Sequence, residues 1–323
     1  PATPGGRRMS RVLVTGSTGY VGSRLVPVLL EAGHEVVAAT RDESALEAYP
    51  WGAQVEARRF DITDEDLVAQ AVEGVDAVVY LVHSMASGEF VRKDREAAER
   101  VARAAAAAGV GRVVYLSGLI PPGELSDHLR SRAEVEQVFL DAEVPATVLR
   151  AAMIVGSGST SFELLRRLSD RLPITPVPAW MRNKLQPVSV EDVVTVLAAA
   201  LEGEPRNRAY DLGADEVLSY PDLLGRYAKV AGLRRWRPLV PGVPMWVVGR
   251  ASALLTGMPR GTVVALAESL SHDMVCGEDD VRRDLVPGHQ FLSLDEAIAR
   301  SLGTSGGTSR VGDVQAAAPT DPA

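Results

Sequence analysis

The chain has 323 residues, of which 46% are hydrophobic, so it can bury an extensive core in one large α/β domain or in a domain with a smaller appendage. Its formal net charge of −8 argues against a general nucleic-acid partner, because a protein that neutralises phosphates needs a basic surface. The single cysteine, Cys276, excludes an internal disulfide and a multi-cysteine zinc site, which agrees with a reducing, cytoplasmic location.

Both ends of the chain are predicted to be disordered. Residues 1–10 carry Arg7 and Arg8 but lack the apolar segment of a signal peptide, so we expect a disordered leader. Residues 304–323 are rich in Gly, Ser, Thr, Ala and Pro without any period, which predicts a disordered tail.

The first structural signal is a β-branched run that ends in three glycines. Gly16, Gly19 and Gly22 are spaced three apart, after residues 11–15 and before an apolar helical pattern. In such a turn the first glycine adopts a conformation closed to other residues, the second lets backbone approach a pyrophosphate, and the third lets the helix pack tightly on the sheet. Such triplets also occur in ordinary turns, but the flanking strand and helix favour a dinucleotide-binding turn here.

Strands and helices then alternate over about 150 residues, as expected from repeated βαβ units. The predicted strands are residues 11–15, 35–40, 54–60, 77–82, 112–117 and 146–150, and helices begin near residues 20, 43, 64, 89 and 129. Several strands are continuously apolar, as a sheet covered on both faces requires. We therefore predict a doubly wound parallel-sheet Rossmann fold over residues 11–155.

Residues 156–303 are predicted to form a smaller, mostly helical part on the substrate side, interleaved with the Rossmann core. Helices are expected at residues 162–172, 190–202, 220–231, 247–255, 262–271 and 294–302. The apolar stretch 239–270 is interrupted by prolines and arginines, so it predicts no transmembrane segment but an amphipathic surface or lid. The helices that flank the sheet could also pack against a second copy of the chain, so the sequence allows a homodimer.

The end of the second predicted strand bears on cofactor choice. Arg41 stands where an NAD-specific site usually has an acidic residue, and its guanidinium suits a 2′-phosphate, so NADP(H) is preferred over NAD(H). Alternatively, Arg41 pairs with Asp42 or Glu43, or meets only solvent, and selects nothing. Asp61 and Ile62 are expected beside the adenine, although Asp61 is equally well placed near a helix N-terminus. Residues 81–84 should border the ribose and pyrophosphate.

Several segments resemble the short-chain dehydrogenase/reductase superfamily. They are residues 15–22 (TGSTGYVG), 61–62 (DI), 80–85 (YLVHSM) and 115–118 (YLSG). Residues 128–136 (HLRSRAEVE), followed by 149–152 (LRAA) and 156–159 (GSGS), resemble more narrowly the atypical, NmrA-like NAD(P)H-binding branch. The resemblance extends from about residue 11 to residue 302 and implies a bound nicotinamide cofactor.

The chain departs from the superfamily at its catalytic pair. Typical members carry Tyr-x-x-x-Lys on the helix after the fifth strand, and here His128 and Arg132 take those places. The spacing keeps both on one helix face. Arginine cannot exchange a proton at neutral pH, whereas imidazole titrates in the right range to donate one. Ser117 falls near the serine that the superfamily uses to hydrogen-bond a carbonyl oxygen.

These observations together define the predicted site. The predicted catalytic residues are Ser117, His128 and Arg132. The predicted cofactor-binding residues are Gly16, Ser17, Thr18, Gly19, Tyr20, Val21, Gly22, Arg41, Asp61, Ile62, Leu81, Val82, His83, Arg132, Ala152 and Met153. The five histidines show no metal-ligand spacing, so no metal site is predicted.

Three functions are open. We predict an NADP(H)-dependent oxidoreductase that reduces a small organic carbonyl or enone, with a small molecule as its partner. A non-catalytic NAD(P)H-binding redox sensor or assembly factor would keep the cofactor cradle without the chemistry. A nucleotide-sugar epimerase or dehydratase would share the extended fold and the Asp192 segment, but such enzymes generally keep the tyrosine.

Overall fold

The computed structural model describes residues 9–83, 90–303, 313–318 and 320–321. Its central sheet has seven strands, all of which pair in parallel. They are β1 (Arg11–Thr15), β2 (Glu35–Thr40), β3 (Glu56–Arg59), β4 (Ala77–Tyr80), β5 (Arg112–Gly118), β6 (Ala146–Ala151) and β11 (Arg208–Leu212). Two-residue strands complete smaller pairs: β7 (Ile154–Val155), β8 (Val177–Pro178), β9 (Lys184–Leu185), β10 (Val188–Ser189), β12 (Leu218–Ser219) and β13 (Leu239–Val240).

The strand order gives the predicted doubly wound topology. The strands lie in the order β11-β6-β5-β4-β1-β2-β3, so the chain direction across the sheet reverses between β1 and β4. Crossovers that leave in opposite directions open a crevice at the carboxyl ends of these two strands. The Rossmann fold predicted from the alternating elements is therefore confirmed, and its ligand crevice falls at the glycine turn after β1.

Helices cover both faces of this sheet and build the part beyond it. They are α1 (Tyr20–Glu31), α2 (Glu65–Val72), α3 (Phe90–Ala107), α4 (Asp127–Leu140), α5 (Thr160–Arg171), α6 (Val190–Ala199), α7 (Tyr220–Val230), α8 (Met245–Thr256), α9 (Arg260–Ser269), α10 (Asp280–Asp284) and α11 (Leu294–Ser301). Val12 and Val14 of β1 belong to the core under α1 and α6, while Leu13 belongs to the core under α2, α3 and α4. Successive side chains of a strand point to opposite faces, which explains why a doubly covered strand is apolar throughout.

Two elements of the Rossmann part differ from the sequence prediction. The helix expected near residue 43 is a short 3₁₀ helix, Glu43–Ala48, which Asp42 caps by accepting a hydrogen bond from the backbone N–H of Ser44 at 3.0 Å. Strand β11 was not predicted, although it completes the sheet beside β6. Its five residues include Arg208 and Asp211, so they lack the apolar run that marks most of the other strands, β3 excepted.

The part beyond β6 is mostly helical, as predicted. A third apolar cluster joins α5, α7 and α11, with Phe162 and Tyr227 in edge-to-face contact at a centroid distance of 5.9 Å. Helices α8 and α9 form a hairpin that packs on α5 through Leu164, Leu168 and Val263. No helix among residues 9–83, 90–303, 313–318 and 320–321 is long and apolar enough to cross a membrane.

The chain's last described segment corrects the prediction of a disordered tail. Gln315 is completely buried, and its side-chain amide donates to the Val155 carbonyl at 2.8 Å and to the Ser301 hydroxyl at 2.9 Å. Buried amides need such partners, and only the folded chain supplies them. Residues 313–318 and 320–321 are thus docked, whereas 304–312, 319, 322–323 and residues 1–8 of the predicted leader lie outside the described residues.

Candidate functional site

A cleft of about 360 Å³ opens at the carboxyl ends of β1, β4, β5 and β6. This is the place where ligands bind in doubly wound sheets. Twelve residues of the predicted site line it: Gly16, Gly19, Tyr20, Val21, Gly22, Leu81, His83, Ser117, His128, Arg132, Ala152 and Met153. Ser17, Thr18, Val82, Arg41, Asp61 and Ile62 are not among the residues that line this cleft.

The turn at the floor of the cleft requires glycine at its key positions. Gly16 has φ +67°, in the left-handed region that other residues rarely adopt. A Cβ on Gly22 would lie 2.2 Å from the carbonyl oxygen of Gly16, so only glycine lets α1 start this close to the turn. Gly19 caps α1 without a side-chain hydrogen bond. The first N–H groups of the helix therefore have no partner within it, and they form a ready anion site beside the cleft.

Two hydroxyl side chains fix this turn to the neighbouring strands. Thr15 donates to the Val79 carbonyl at 3.2 Å and accepts from the Leu81 N–H at 3.1 Å, which joins the ends of β1 and β4. The Ser17 hydroxyl donates to the Ala39 carbonyl of β2 at 3.0 Å. Ser17 is completely buried, so its side chain supports the turn from behind and does not face the cleft.

The predicted catalytic residues all line the cleft. Ser117 is the second-last residue of β5, and among the described residues its buried hydroxyl has no hydrogen-bond partner. His128 and Arg132 lie one turn apart in α4, so both project from the same helix face toward the cleft. The Arg132 guanidinium likewise has no hydrogen-bond or salt-bridge partner within the described part of the chain. A hydroxyl, an imidazole and a guanidinium thus all remain available to a ligand.

The protonation state of His128 differs from the sequence expectation. Burial and the adjacent Arg132 charge lower the pKa of His128 from 6.5 to about 4. Arg132 also holds the pKa of His83 well below its ordinary value, with contributions from burial and His128. Both imidazoles are therefore neutral at pH 7, and His128 does not rest as the imidazolium acid that its type suggested.

Two buried polar contacts hold α4 in place. Ser131, which stands between His128 and Arg132 in the chain, donates to the Asp94 carboxylate of α3 at 2.8 Å. Arg150 of β6 donates through Nε to both carboxylate oxygens of Glu136, at 2.9 and 3.1 Å. A helix held by buried polar contacts on two sides has little freedom to move. The positions of His128 and Arg132 on α4 are therefore preorganised.

A separate group of residues lies at the carboxyl ends of β2 and β3. Arg41 is exposed, and in the described chain it makes no hydrogen bond or salt bridge, so the predicted alternative pairing with Asp42 or Glu43 is absent. Asp61 accepts hydrogen bonds from the Thr63 N–H at 2.8 Å and the Thr63 hydroxyl at 2.7 Å.

These hydrogen bonds lower the pKa of Asp61, and the charges of Arg41 and Arg59 lower it further. Asp64 is the N-cap residue of α2, so Asp61 does not cap that helix. Ile62 packs at the edge of the core. Ser84, which was expected beside the ribose, is outside the described residues.

The structure adds cleft residues that sequence reasoning missed. Tyr220 lines the cleft from the start of α7, and burial raises the pKa of its hydroxyl, which therefore stays protonated at neutral pH. Thr262, Leu266 and Leu270 line it from α9 and the residue after it. No local motif marks these positions, because they reach the cleft only through the packing of α9 on α5. The described residues contain no group of three His, Cys, Asp or Glu side chains that could hold a metal ion.

Comparison with known proteins agrees with this geometry. The chain is 27% identical over 234 residues to the mitochondrial NADH dehydrogenase (ubiquinone) 1 alpha subcomplex subunit 9 of Arabidopsis thaliana. The match covers 68% of this chain but only 58% of the plant protein, which is less than two thirds of its length. It is 30% identical over 237 residues to the (4-alkanoyl-5-oxo-2,5-dihydrofuran-3-yl)methyl phosphate reductase of Streptomyces griseus, covering 71% of this chain and 75% of that enzyme.

The fold is shared with solved structures as well. An Escherichia coli NADPH-dependent quinone oxidoreductase, QOR2, superimposes with a TM-score of 0.72 and 21% identity, over 89% of this chain and 98% of the other. Residues 16–204, more than half of the chain, match the model of a family described as NAD(P)H-binding. The glycine turn, the crevice and this match lead to one conclusion: the chain belongs to the NAD(P)H-binding family.

Proposed function

We propose that this protein is a cytoplasmic NADP(H)-dependent reductase, of the atypical NmrA-like type, that reduces a small conjugated carbonyl compound such as an enone or a quinone. One observation carries the proposal. In a cleft that begins at a dinucleotide-binding turn, the Ser117 hydroxyl is buried without a partner among the described residues. A buried polar group without a partner is costly, and a ligand oxygen at this position would satisfy it.

The residues present fit a nicotinamide dinucleotide. The N–H groups at the start of α1 would hold the pyrophosphate, in a turn whose conformation requires Gly16 and whose close packing against α1 requires Gly22. Arg41 would pair with the 2′-phosphate, since its guanidinium has no other partner in the described chain. A bound NADPH supplies the hydride.

The chain's own contribution would be to bind and polarise the acceptor oxygen. Ser117 would donate a hydrogen bond to it, neutral His128 would donate a second, and the Arg132 charge would stabilise the negative charge that develops there. Because His128 is neutral at pH 7, this wall holds no strong acid. That arrangement favours acceptors whose reduced anion is delocalised, as in enones and quinones, since water can protonate such anions afterwards.

Two relatives support this substrate class. The Streptomyces griseus enzyme is named as a reductase of a conjugated oxo-dihydrofuran, and the structurally similar Escherichia coli protein is titled a quinone oxidoreductase. The second candidate is a non-catalytic NAD(P)H-binding subunit or sensor. It is favoured by the likeness to the plant NADH dehydrogenase subunit and by the lack of an imidazolium acid at His128.

A turnover panel separates the two candidates. NADPH oxidation should be measured with quinones, enones and simple ketones, in parallel with NADPH binding by isothermal calorimetry. We expect turnover with quinones or enones and little with simple ketones. Tight NADPH binding without turnover on any acceptor would instead support the sensor, and turnover restricted to simple ketones would contradict the assigned substrate class.

A further inference from the structure

The exposed face of α8 carries large apolar side chains in a regular row. Trp246 is 59% exposed and Leu254 is 86% exposed. Arg250 lies between them, and its guanidinium carbon is 5.8 Å from the centre of the Trp246 ring. Residues spaced by four lie on one helix face, so these three form a single stripe, which we call the α8 stripe.

This exposure does not come from a loosely attached helix. On its other side α8 packs through Ala253 against the cluster formed by α5 and α9. A Cβ added to Gly249 would lie 2.9 Å from the Val264 side chain, which shows how closely α8 and α9 approach. Arg167 of α5 donates to the Thr256 carbonyl at 3.0 Å and so fixes the end of the helix. The stripe is therefore presented on a packed hairpin.

The segment before α8 adds to the exposed apolar surface. Trp236 is 66% exposed and Leu239 is 50% exposed. Strand β13, which contains Leu239, pairs with β8, so this segment is also held by backbone hydrogen bonds. Two tryptophans and two leucines with at least half of their surface in solvent are unusual for apolar side chains of this size.

Charge singles out the same region. Residues 223–267 contain seven Lys and Arg and no Asp or Glu, although the whole chain has a net charge of −8. Lys229, Arg234, Arg250 and Arg260 are exposed. A cationic segment in an acidic protein is complementary to a negatively charged surface.

We propose that the α8 stripe, with Trp236, Leu239 and the exposed cations of the same stretch of chain, docks this protein on the surface of an anionic lipid bilayer. Indole rings and leucines enter the headgroup boundary, while arginines keep their charged ends at the phosphates. The helix lies on the surface and does not cross it, since Pro241, Pro244 and Pro259 bound it on both sides. Helix α9 of the same hairpin lines the cleft, so docking would bring the cleft wall close to the lipid.

Vesicle flotation of the full chain tests this proposal. We expect phosphatidylcholine vesicles with about one third phosphatidylglycerol to carry the protein about tenfold better than pure phosphatidylcholine vesicles, and high salt to remove the difference. The variant Trp246→Ser/Leu254→Ser should lose about tenfold in binding. Its matched control is Val217→Ser, which changes a side chain that is 45% exposed elsewhere and should bind like wild type.

A charge variant gives an independent readout should the apolar variant fail to fold. Arg234→Gln/Arg250→Gln/Arg260→Gln should abolish the preference for anionic vesicles, whereas Arg103→Gln on α3 should preserve it. Equal flotation of the stripe variants and wild type, or no flotation with anionic vesicles, would overturn the proposal. A wild-type dimer that Trp246→Ser/Leu254→Ser dissociates, without vesicle binding, would assign the stripe to a second copy instead. NADPH binding should be the same in all of these variants. A failure of the lipid-docking proposal is therefore distinguishable from a failure of the proposed activity.

Discussion

Arg24 and Asp321 form a two-point salt bridge that joins the start of the chain to its end. The two guanidinium-to-carboxylate distances are 2.7 and 2.8 Å, and the side chains are only 5% and 11% exposed. Arg24 also lies 4.2 Å from the centre of the Tyr20 ring and donates to the Ser157 carbonyl at 2.9 Å. The last described residues thereby hold the helix that follows the glycine turn.

Loss of the Asp321 carboxylate should destabilise the protein. Asp321→Ala leaves a buried guanidinium without its counter-ion, and we expect the free energy of unfolding to fall by about 3 kcal/mol in urea denaturation. Glu96→Ala is the matched control, because it breaks the 2.7 Å pair with Arg92 in which both side chains are exposed. The control should cost less than about 1 kcal/mol. Similar losses in the two variants would show that the tail contributes no buried pair.

The low pKa of His128 predicts how stability depends on pH. The unfolded imidazole binds a proton near pH 6.5 and the folded one near pH 4, so between these values the unfolded state binds more protons and stability falls as the pH is lowered. Between pH 7 and pH 5, wild type should lose about 2 kcal/mol more than His128→Gln. Thermal melts at both pH values measure this. An equal pH dependence of the two proteins would mean that His128 titrates normally.

Ser117→Ala should reduce turnover without a loss of stability. Its hydroxyl has no protein partner in the described chain, so its removal should change the free energy of unfolding by less than about 0.5 kcal/mol. Removal of a donor to the acceptor oxygen should lower kcat/KM about tenfold to a hundredfold.

Ser189→Ala provides the opposite pattern. Ser189 is as buried as Ser117, but its hydroxyl donates to the Asp192 carboxylate at 2.6 Å and accepts from the Asp192 N–H at 2.9 Å at the start of α6. Its loss should cost about 1 kcal/mol of stability and leave kcat/KM nearly unchanged. Unaltered kcat/KM in Ser117→Ala would exclude Ser117 from the reaction.

Arg41→Ala tests the preference for NADPH. A guanidinium that binds the 2′-phosphate contributes nothing to the binding of NADH, which lacks that phosphate. The KM for NADPH should therefore rise about tenfold or more in Arg41→Ala, while the KM for NADH stays constant. Steady-state kinetics with both cofactors measures the ratio. Arg95→Ala removes an exposed arginine from α3 and should leave both constants unaffected. An equal rise for NADH and NADPH would argue against a phosphate contact.

Gly22→Ala should abolish cofactor binding. The added methyl would lie 2.2 Å from the Gly16 carbonyl oxygen, so the turn must open to admit it. Gly261→Ala is the helical control, because a Cβ there meets open space and should stabilise the protein by about 0.5 kcal/mol. Calorimetric titration measures NADPH binding by the two variants, and circular dichroism shows whether each is folded. Together they distinguish a local change in the turn from a loss of the fold. Normal NADPH affinity in Gly22→Ala would contradict the assignment of the turn.

The sequence could predict the sheet because its signals are local. The apolar runs of β1, β2, β4, β5 and β6 alternate with helical patterns, and glycine is needed at Gly16 and Gly22 for reasons of backbone geometry alone. Strand β11 escaped prediction because its partner β6 lies about sixty residues earlier, and only that pairing makes so polar a segment a strand.

The sequence by itself determined the Rossmann fold and the glycine turn, since these follow from local patterns along the chain, and its family resemblance pointed to Ser117, His128 and Arg132, which line the cleft. Tertiary structure alone decided their state. Burial beside Arg132 makes His128 neutral, and the packing of β5 leaves Ser117 without a partner among the described residues. Tertiary structure also decided that Gln315 is buried, although its neighbours are typical of a disordered tail. Desolvation and charge depend on residues brought together from distant parts of the chain, and no local pattern carries that information.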